Sequence, residues 1–259
     1  MRVLVVGDIV GSPGRAVFKE VVARLRESGA VHAVVANAEN AAAGNGITGD
    51  LADELFKAGA DLLTLGDHTW NQKDIEVYIA REKRLLRPAN FAPVCPGRGW
   101  ATVQTSQGAL TVINLVGRVF MPPADCPFRT VDALLTAIPG GTPVLVDVHA
   151  EATSEKIAMG WHLDGRVAAV VGTHTHVQTS DEKLLPKGTA FITDIGMTGP
   201  TNSVIGREVE PVLKKFLTGM PSKFDVAKGQ AVLEGVIIDI DRVTSRAVRI
   251  TRVREFSKA

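Results

Sequence analysis

The sequence predicts an α/β fold, and three observations carry that prediction. Short apolar, β-prone runs alternate with segments of helical periodicity along the 259 residues. Six of these runs lead into polar side chains of the kind that bind metals: LVVGD, VVANAEN, LLTLGDH, VLVDVH and VVGTHTH, with ITDIG behind them. In an open α/β sheet, ligands gather beyond the carboxyl ends of the strands, so such residues converge on one crevice although they lie far apart in sequence. Finally, beyond Trp100 the pattern changes to that of an antiparallel hairpin, which calls for a second sheet.

Residues 2 to 7 form a continuous run rich in valine, as expected of a strand buried on both faces. Gly11-Ser12-Pro13-Gly14 opens a helix with proline near its first turn. Val17, Val21, Val22 and Leu25 give that helix one apolar stripe, and Gly29 suits its C-terminal cap. A second strand covers 31 to 36, Thr48 caps a helix running to Lys57, and Asp61 to Leu65 form a third strand. Trp100 to Thr105 and Leu110 to Leu115 flank Ser106-Gln107-Gly108-Ala109 as the arms of a hairpin. Helical patterns follow at 130 to 138, 153 to 160 and 208 to 218, interleaved with strands near 143 to 148, 167 to 171 and 189 to 194. The end is again β, Gly229 to Ile240 and Arg246 to Val253, joined through Asp241 to Ser245. No linker-like tract, low-complexity run or repeat divides the chain, so residues 1–259 read as one domain. The Pro- and Gly-rich stretch from Arg87 to Arg129 is where a small cap or insertion would sit.

Composition narrows the function classes. With 45% apolar and 22% charged residues the chain is neither disordered nor collagen-like. A net charge of +1 gives no general attraction to a nucleic-acid backbone or an anionic membrane, so neither partner is supported. A homo-oligomer is compatible with this composition. Cys95 and Cys126 lack any zinc or redox spacing and read as ordinary thiols. The apolar opening MRVLVVGDIVG is broken by Asp8, long before it could serve as a signal segment or reach the roughly 20 residues of a membrane span. A reduced, cytoplasmic setting is expected.

The chemistry is carried by strand-end residues. In an extended segment, residues two apart point to the same side, so Thr173-His174-Thr175-His176 presents two imidazoles to one place, where two neighbouring ions can each take one. Asp147-Val148-His149 ends another strand. There Asp147 is either a ligand or a carboxylate that holds an imidazole in place. His32 and His162 lie apart from these ends and are given no role. Taken singly, Asp8 reads as a helix N-cap and Asn40 as a turn former. What those readings do not supply is the joint arrangement: Asp8, Glu39, Asn40, Asp67, His149, His174 and His176 at successive strand ends, with His68 beside one of the acids. Such carboxylates repel one another unless cations or protons intervene. The mixture of oxygen and imidazole suits a pair of first-row transition ions about 3.5–4 Å apart, as used in hydrolysing phosphate esters. The Gly11 to Gly14 amides at a helix N-terminus either meet an anion or form only a tight turn. Trp70, Asn71 and Arg87 are candidates for shaping a substrate pocket, with packing or surface roles as the alternative.

These motifs resemble a known family. The series Gly-Asp, Glu-Asn, Gly-Asp-His, His and Gly-x-His-x-His is similar to that of the calcineurin-like binuclear metallophosphoesterases. More narrowly, VGDIVGSPGR, NAENAAAGNGIT, LGDHTWNQKDI, RPANF, VDVHAEATSEK, GTHTHVQT and TDIGMTGP together resemble the YmdB-type phosphodiesterases over nearly the whole chain. The resemblance implies a two-sheet β-sandwich flanked by helices in α/β/β/α order. It implies that Asp8, Glu39, Asn40 and His176 hold one metal, and that Glu39 bridges to a second completed by Asp67, His149 and His174. His68, itself free, would stabilise or protonate the leaving oxygen. Oxygen and imidazole ligands of this kind suit iron, manganese and zinc alike. The implied substrates are phosphodiesters, including 2′,3′-cyclic nucleotides; the mechanism expected for a bimetallic site is in-line attack of a bridging hydroxide on phosphorus. Two departures stand out. Asp8-Ile9-Val10 replaces the superfamily's Asp-x-His, a change the narrower family shares, and Gly66-Asp67-His68 replaces its usual Gly-Asn-His.

Two other readings compete. A dinucleotide-binding domain fits the strand-turn-helix opening, but the glycines run G-x-x-x-G-x-x-G and would leave the histidines idle. A regulatory scaffold with structural metals fits the same ligands, because ligands alone do not demonstrate turnover.

Overall fold

The computed structural model describes residues 1–258. The chain opens with β1 (Arg2–Val6) and the short β2 (Asp8–Ile9), then α1 (Gly11–Glu27), β3 (Ala33–Asn37), α2 (Gly49–Lys57), β4 (Leu62–Thr64), α3 (Ile75–Arg81) and β5 (Leu85–Leu86). A second series follows: β6 (Trp100–Thr105), β7 (Gly108–Val116), α4 (Pro127–Ala137), β8 (Val144–His149), α5 (Thr153–Leu163), β9 (Ala169–Thr173), β10 (Lys183–Leu184) and β11 (Ala190–Ile192). The chain then returns to the first sheet through β12 (Met197–Pro200), α6 (Val209–Thr218), β13 (Ala231–Ile240) and β14 (Ala247–Phe256).

Eight strands form one sheet and six the other. In the first, β1, β3, β4 and β5 run parallel, with the long β13 antiparallel to β1. β1 and β12 share one edge of β13, and β14 pairs along the opposite edge. In the second sheet β7, β8, β9 and β11 run parallel, flanked by the antiparallel β6 and β10.

Alternation along these strands sorts the apolar side chains into three cores. Leu4 and Val6, Val34 and Ala36, and Leu63 face α1, α2 and α3, where they meet Val17, Phe18, Val21, Leu55 and Ile79. Val3, Val5, Val35 and Leu62 point the other way, against Leu110, Val112, Leu145, Val171 and Ile192 of the second sheet. The outer face of that sheet, with Ile113, Val146, Val148 and Val170, packs on Val131, Met159 and Leu163 of α4 and α5. The architecture is therefore the expected two-sheet sandwich between helices, and each sheet hydrophobic on both faces explains why its central strands lack polar alternation.

Local signals explain the longer elements. Thr48 caps α2 by accepting the Leu51 amide at 3.3 Å, and Gly29, just beyond α1, takes the left-handed φ of 65° that such an end favours. Between Arg87 and Arg129, the β6–β7 hairpin builds the edge of the second sheet, and Arg87 fixes the loop before it. Its guanidinium donates to the carbonyls of Pro88 (2.8 Å), Pro96 (3.0 Å) and Cys95 (3.3 Å). This residue thus ties backbone together, the packing alternative to a substrate role. Among the described residues no helix is long and apolar enough to cross a membrane.

Candidate metal centre

The parallel strands of both sheets end at the same edge of the sandwich, and all seven predicted ligands meet there. Asp8 follows β1, Glu39 and Asn40 follow β3, Asp67 and His68 follow β4, His149 closes β8, and His174 and His176 follow β9. Asp8, Glu39 and His149 are fully buried. Two donor groups share Glu39. In the first, one ligand atom from each of Glu39, Asp67, His149 and His174 lies within 4.8 Å of all the others. His149 Nε2 is 2.9 Å from Glu39 Oε1 and 3.1 Å from Asp67 Oδ1, and His174 Nδ1 is 3.4 Å from the same Asp67 oxygen. In the second, the Asn40 amide reaches Asp8 Oδ1 at 3.4 Å, Glu39 Oε1 at 3.4 Å and His176 Nε2 at 3.3 Å, and His176 Nε2 is 3.5 Å from Asp8 Oδ1.

The two histidines of the Thr-His-Thr-His segment arrive by a different route from the one expected. The segment is not extended, because β9 stops at Thr173 and both His174 and His176 have left-handed φ angles, 92° and 62°. The backbone turns between them, so His174 joins Asp67 and His149 while His176 joins Asp8 and Asn40. Asp147 is the bracing carboxylate and not a member of either group. It is buried and accepts the hydroxyls of Thr64 (2.5 Å) and Thr173 (2.7 Å), and the Thr173 oxygen lies 2.9 Å from His149 Nδ1. That chain fixes the ring so that Nε2 faces Glu39 and Asp67.

Charge in the cluster is compensated internally. Burial pushes Asp8 up, but the imidazoles of His176 and His149 and the amide of His174 outweigh it and hold the carboxyl well below the usual carboxylate range. Asp67 behaves alike, with hydrogen bonds from His149 and His174 prevailing over burial. Burial disfavours the charged form of His149, yet Glu39, Asp67 and Asp8 raise it well above its ordinary value, and Asp8 likewise raises His176 against the effect of burial. Asp147 is pushed up by burial to about 6, which the hydroxyls of Thr64 and Thr173 and the charge of His149 offset only in part. Protons on the imidazoles thus stand where cations would neutralise three clustered carboxylates. The donors, hard oxygens mixed with imidazole nitrogens, fit divalent metal ions.

His68 sits at the opening of this cluster, its side chain one-third exposed. Its backbone N–H donates to Glu39 Oε2 at 3.0 Å, and its Nδ1 is 3.0 Å from Asn40 Oδ1. The cavity above holds about 320 Å³ and is lined by Glu39, Asn40, His68, His174, His176 and further groups that sequence reasoning did not single out. Among these, Glu151 places Oε2 3.1 Å from His174 Nε2, which turns the other ring nitrogen toward the donors. Arg207 lines the same cavity but donates to the carbonyls of Ala43, Gly44 and Phe224, so it fastens the wall. Glu151 follows a strand-end histidine by two residues, a signal that was present; Arg207 lies in a loop with no motif to mark it.

The glycine-rich turn does not form an anion cradle. Gly11 N–H donates to Asn40 O at 3.0 Å, Gly14 N–H to Val10 O at 3.1 Å, and Pro13 has no N–H. Trp70 packs on the first core with Phe91 at 6.2 Å between ring centroids, and Asn71 donates to Asn45 Oδ1. Neither lines the cavity.

A family model described as YmdB-like protein matches residues 4–253. The chain belongs to the YmdB-like family. Similar to this YmdB-like chain is a 2′,3′-cyclic-nucleotide 2′-phosphodiesterase of Bacillus subtilis (strain 168), 50% identical over 98% of this chain and 96% of the relative. Among solved structures, a hypothetical protein from Thermus thermophilus superposes with a TM-score of 0.94 at 41% identity, covering 100% of both chains. A phosphatase from Mycoplasma pneumoniae superposes with a TM-score of 0.92 at 33% identity over 99% of this chain and 93% of its own. With the family shown, and the histidines converging on acids, the dinucleotide-binding reading has no remaining support.

Proposed function

We propose that this YmdB-like protein is a metal-dependent phosphodiesterase acting on small phosphodiesters, 2′,3′-cyclic nucleotides among them. The observation that carries the reading is the pair of donor groups sharing Glu39, with His68 placed at their mouth. The Bacillus subtilis relative, described as a phosphodiesterase for this substrate class, supports it. Asp8, Glu39, Asn40 and His176 would hold one ion, and Glu39, Asp67, His149 and His174 the other. Iron, manganese and zinc all suit such ligands. When bound, the ions supply an activated water and neutralise the non-bridging phosphoryl oxygens. The chain's own groups do the rest. Burial of Asp8, Glu39 and His149 excludes bulk water from beneath the substrate. His68, at the mouth of the cluster, would in its protonated form deliver a ring proton to the departing ribose oxygen. The reading takes the chain as one catalytic domain working in the cytoplasm.

The test is metal analysis of the purified protein, followed by hydrolysis of 2′,3′-cyclic AMP before and after treatment with a chelator. Copurifying transition metal and activity that vanishes with it and returns on its addition are expected. Bound metal with no turnover would favour the regulatory scaffold instead.

A further inference from the structure

Behind the Thr-His-Thr-His turn lies a fully buried ion pair that the proposed chemistry does not use. Lys156 Nζ of α5 donates to Asp194 Oδ2 at 2.7 Å, and neither side chain has any exposure. The same Asp194 oxygen accepts the Thr175 amide at 3.1 Å and the Thr175 hydroxyl at 2.5 Å, and Lys156 Nζ also reaches that hydroxyl at 3.2 Å. Asp194 Oδ1 accepts the Gly196 amide at 2.8 Å, which fixes the carboxylate from the other side. Three of these contacts reach Thr175, the single residue between His174 and His176, and the others fix the carboxylate that holds it.

Those two histidines both take left-handed backbone conformations, 92° and 62° in φ, which are strained for non-glycine residues and persist only where surroundings hold them. Histidine enters the left-handed region more readily than most residues, and the His174 amide also donates to Asp8 Oδ2 at 3.1 Å, but neither fixes Thr175 between the two histidines. The sequence supplies the hold from two distant motifs, SEK and TDIG, and leaves room for it with Gly172. A Cβ on Gly172 would lie 1.8 Å from Thr193 O and 2.7 Å from Lys156 Cδ. Gly172 is not among the left-handed glycines, so its lack of a side chain serves the passage of the lysine and the neighbouring strand.

We propose that the Lys156–Asp194 pair is a positioning device: it clamps Thr175 so that the strained turn aims His174 and His176 into separate donor groups. A buried pair of this kind is weak evidence for stability, since an apolar pair of similar shape often stabilises a fold as well or better. What an apolar pair does not reproduce is the double hydrogen bond to Thr175. The proposal rests on the metal reading of the site for its purpose, but not for its geometry.

The test uses the full chain as Lys156→Met/Asp194→Leu, which removes both charges together, and as Asp194→Asn, which keeps an acceptor for Thr175. The double variant is expected to fold with cooperative melting. In its metal-free crystal structure the 174–176 backbone is expected to relax from the left-handed region. Its affinity for added manganese is expected to fall about 10–100-fold, the usual effect of losing a group that orients a ligand. Asp194→Asn is expected to lose less, and it carries the comparison should the double variant fail to fold. A folded variant with the backbone of His174 and His176 unmoved and manganese affinity at the wild-type level would overturn the clamp, leaving only a structural pair. Wild-type protein that binds no manganese or other transition metal would count against the proposed function alone, because the crystal structure decides the clamp.

Discussion

At Asp67 one residue distinguishes this chain from the pattern it otherwise resembles. Asp67 Oδ1 lies 3.1 Å from His149 Nε2 and 3.4 Å from His174 Nδ1, and on the proposed metal reading an oxygen at this place would serve as a ligand whether it belongs to a carboxylate or an amide. Asp67→Asn is therefore expected to retain metal and phosphodiesterase activity, measured by metal content and hydrolysis of 2′,3′-cyclic AMP. Complete loss of both would show that the extra charge is needed. His68 is the opposite case, near the donors yet outside both groups. His68→Ala is expected to slow turnover by about 10²–10⁴-fold with metal content intact, the usual weight of a general acid. Unchanged turnover would refute the role. The converging residues were legible in the sequence because each ends a strand, a position that needs no contact information. Asp147 was ambiguous for a physical reason: it shares a face with His149, and only the hydroxyls of Thr64 and Thr173 reveal that it braces the ring.

Among the elements, the longer ones were legible, as were the three-residue β4 and β11, while the two-residue strands were not. α1, α2, α4, α5 and α6 each carry an apolar stripe long enough to count, and β13 and β14 a long β run. β2, β5 and β10 have two residues each, too few for any period, and exist because longer neighbours offer them hydrogen bonds. α3 had a readable Ile75, Tyr78, Ile79 spacing, but its seven residues sit among polar ones that mask it. The glycines of the first turn show how an element is seated. A Cβ on Gly14 would lie 2.2 Å from Thr198 O, so α1 reaches β12 only without a side chain there. Because backbone and not a flexible side chain is the obstacle, Gly14→Ala is expected to destabilise the protein by about 1–3 kcal/mol, read from urea unfolding. An unchanged midpoint would mean that the helix shifts freely.

For the whole molecule, the site is the seam where two sheets end together, and its charge links folding to metal and pH. The hairpin pattern after Trp100 marked a second sheet and the motif resemblance implied the sandwich, whereas periodicity alone does not give the stacking, because both sheets are apolar on the faces that meet at Val3, Val35, Val112 and Val171. Stacking brings the donors together and leaves them, when metal-free, dependent on protons. His149 and His176 are raised above 6.5, so their contribution to stability is full below that pH and is lost as pH rises through the raised values. Asp147, raised to about 6, adds a contribution present below 3.8 and lost as pH passes about 6. Asp8 and Asp67 are depressed, and theirs is present above 3.8 and lost as pH falls. Metal-free protein is thus expected to be most stable in mildly acidic solution and to weaken as pH rises, first as Asp147 ionises below neutrality and then as His149 and His176 lose their protons above 6.5. Metal binding requires the deprotonated imidazoles and has the opposite preference. At free metal about 1,000-fold above its dissociation constant, binding contributes about 4 kcal/mol, which for a chain of this size corresponds to roughly 8–16 °C in Tm. Chelation is therefore expected to lower Tm by that order at about pH 8 and by distinctly less at about pH 5.5, where protons compete for the imidazoles. A chelator-induced shift that is equal at both values, or larger in acid, would place the bound ions away from His149 and His176.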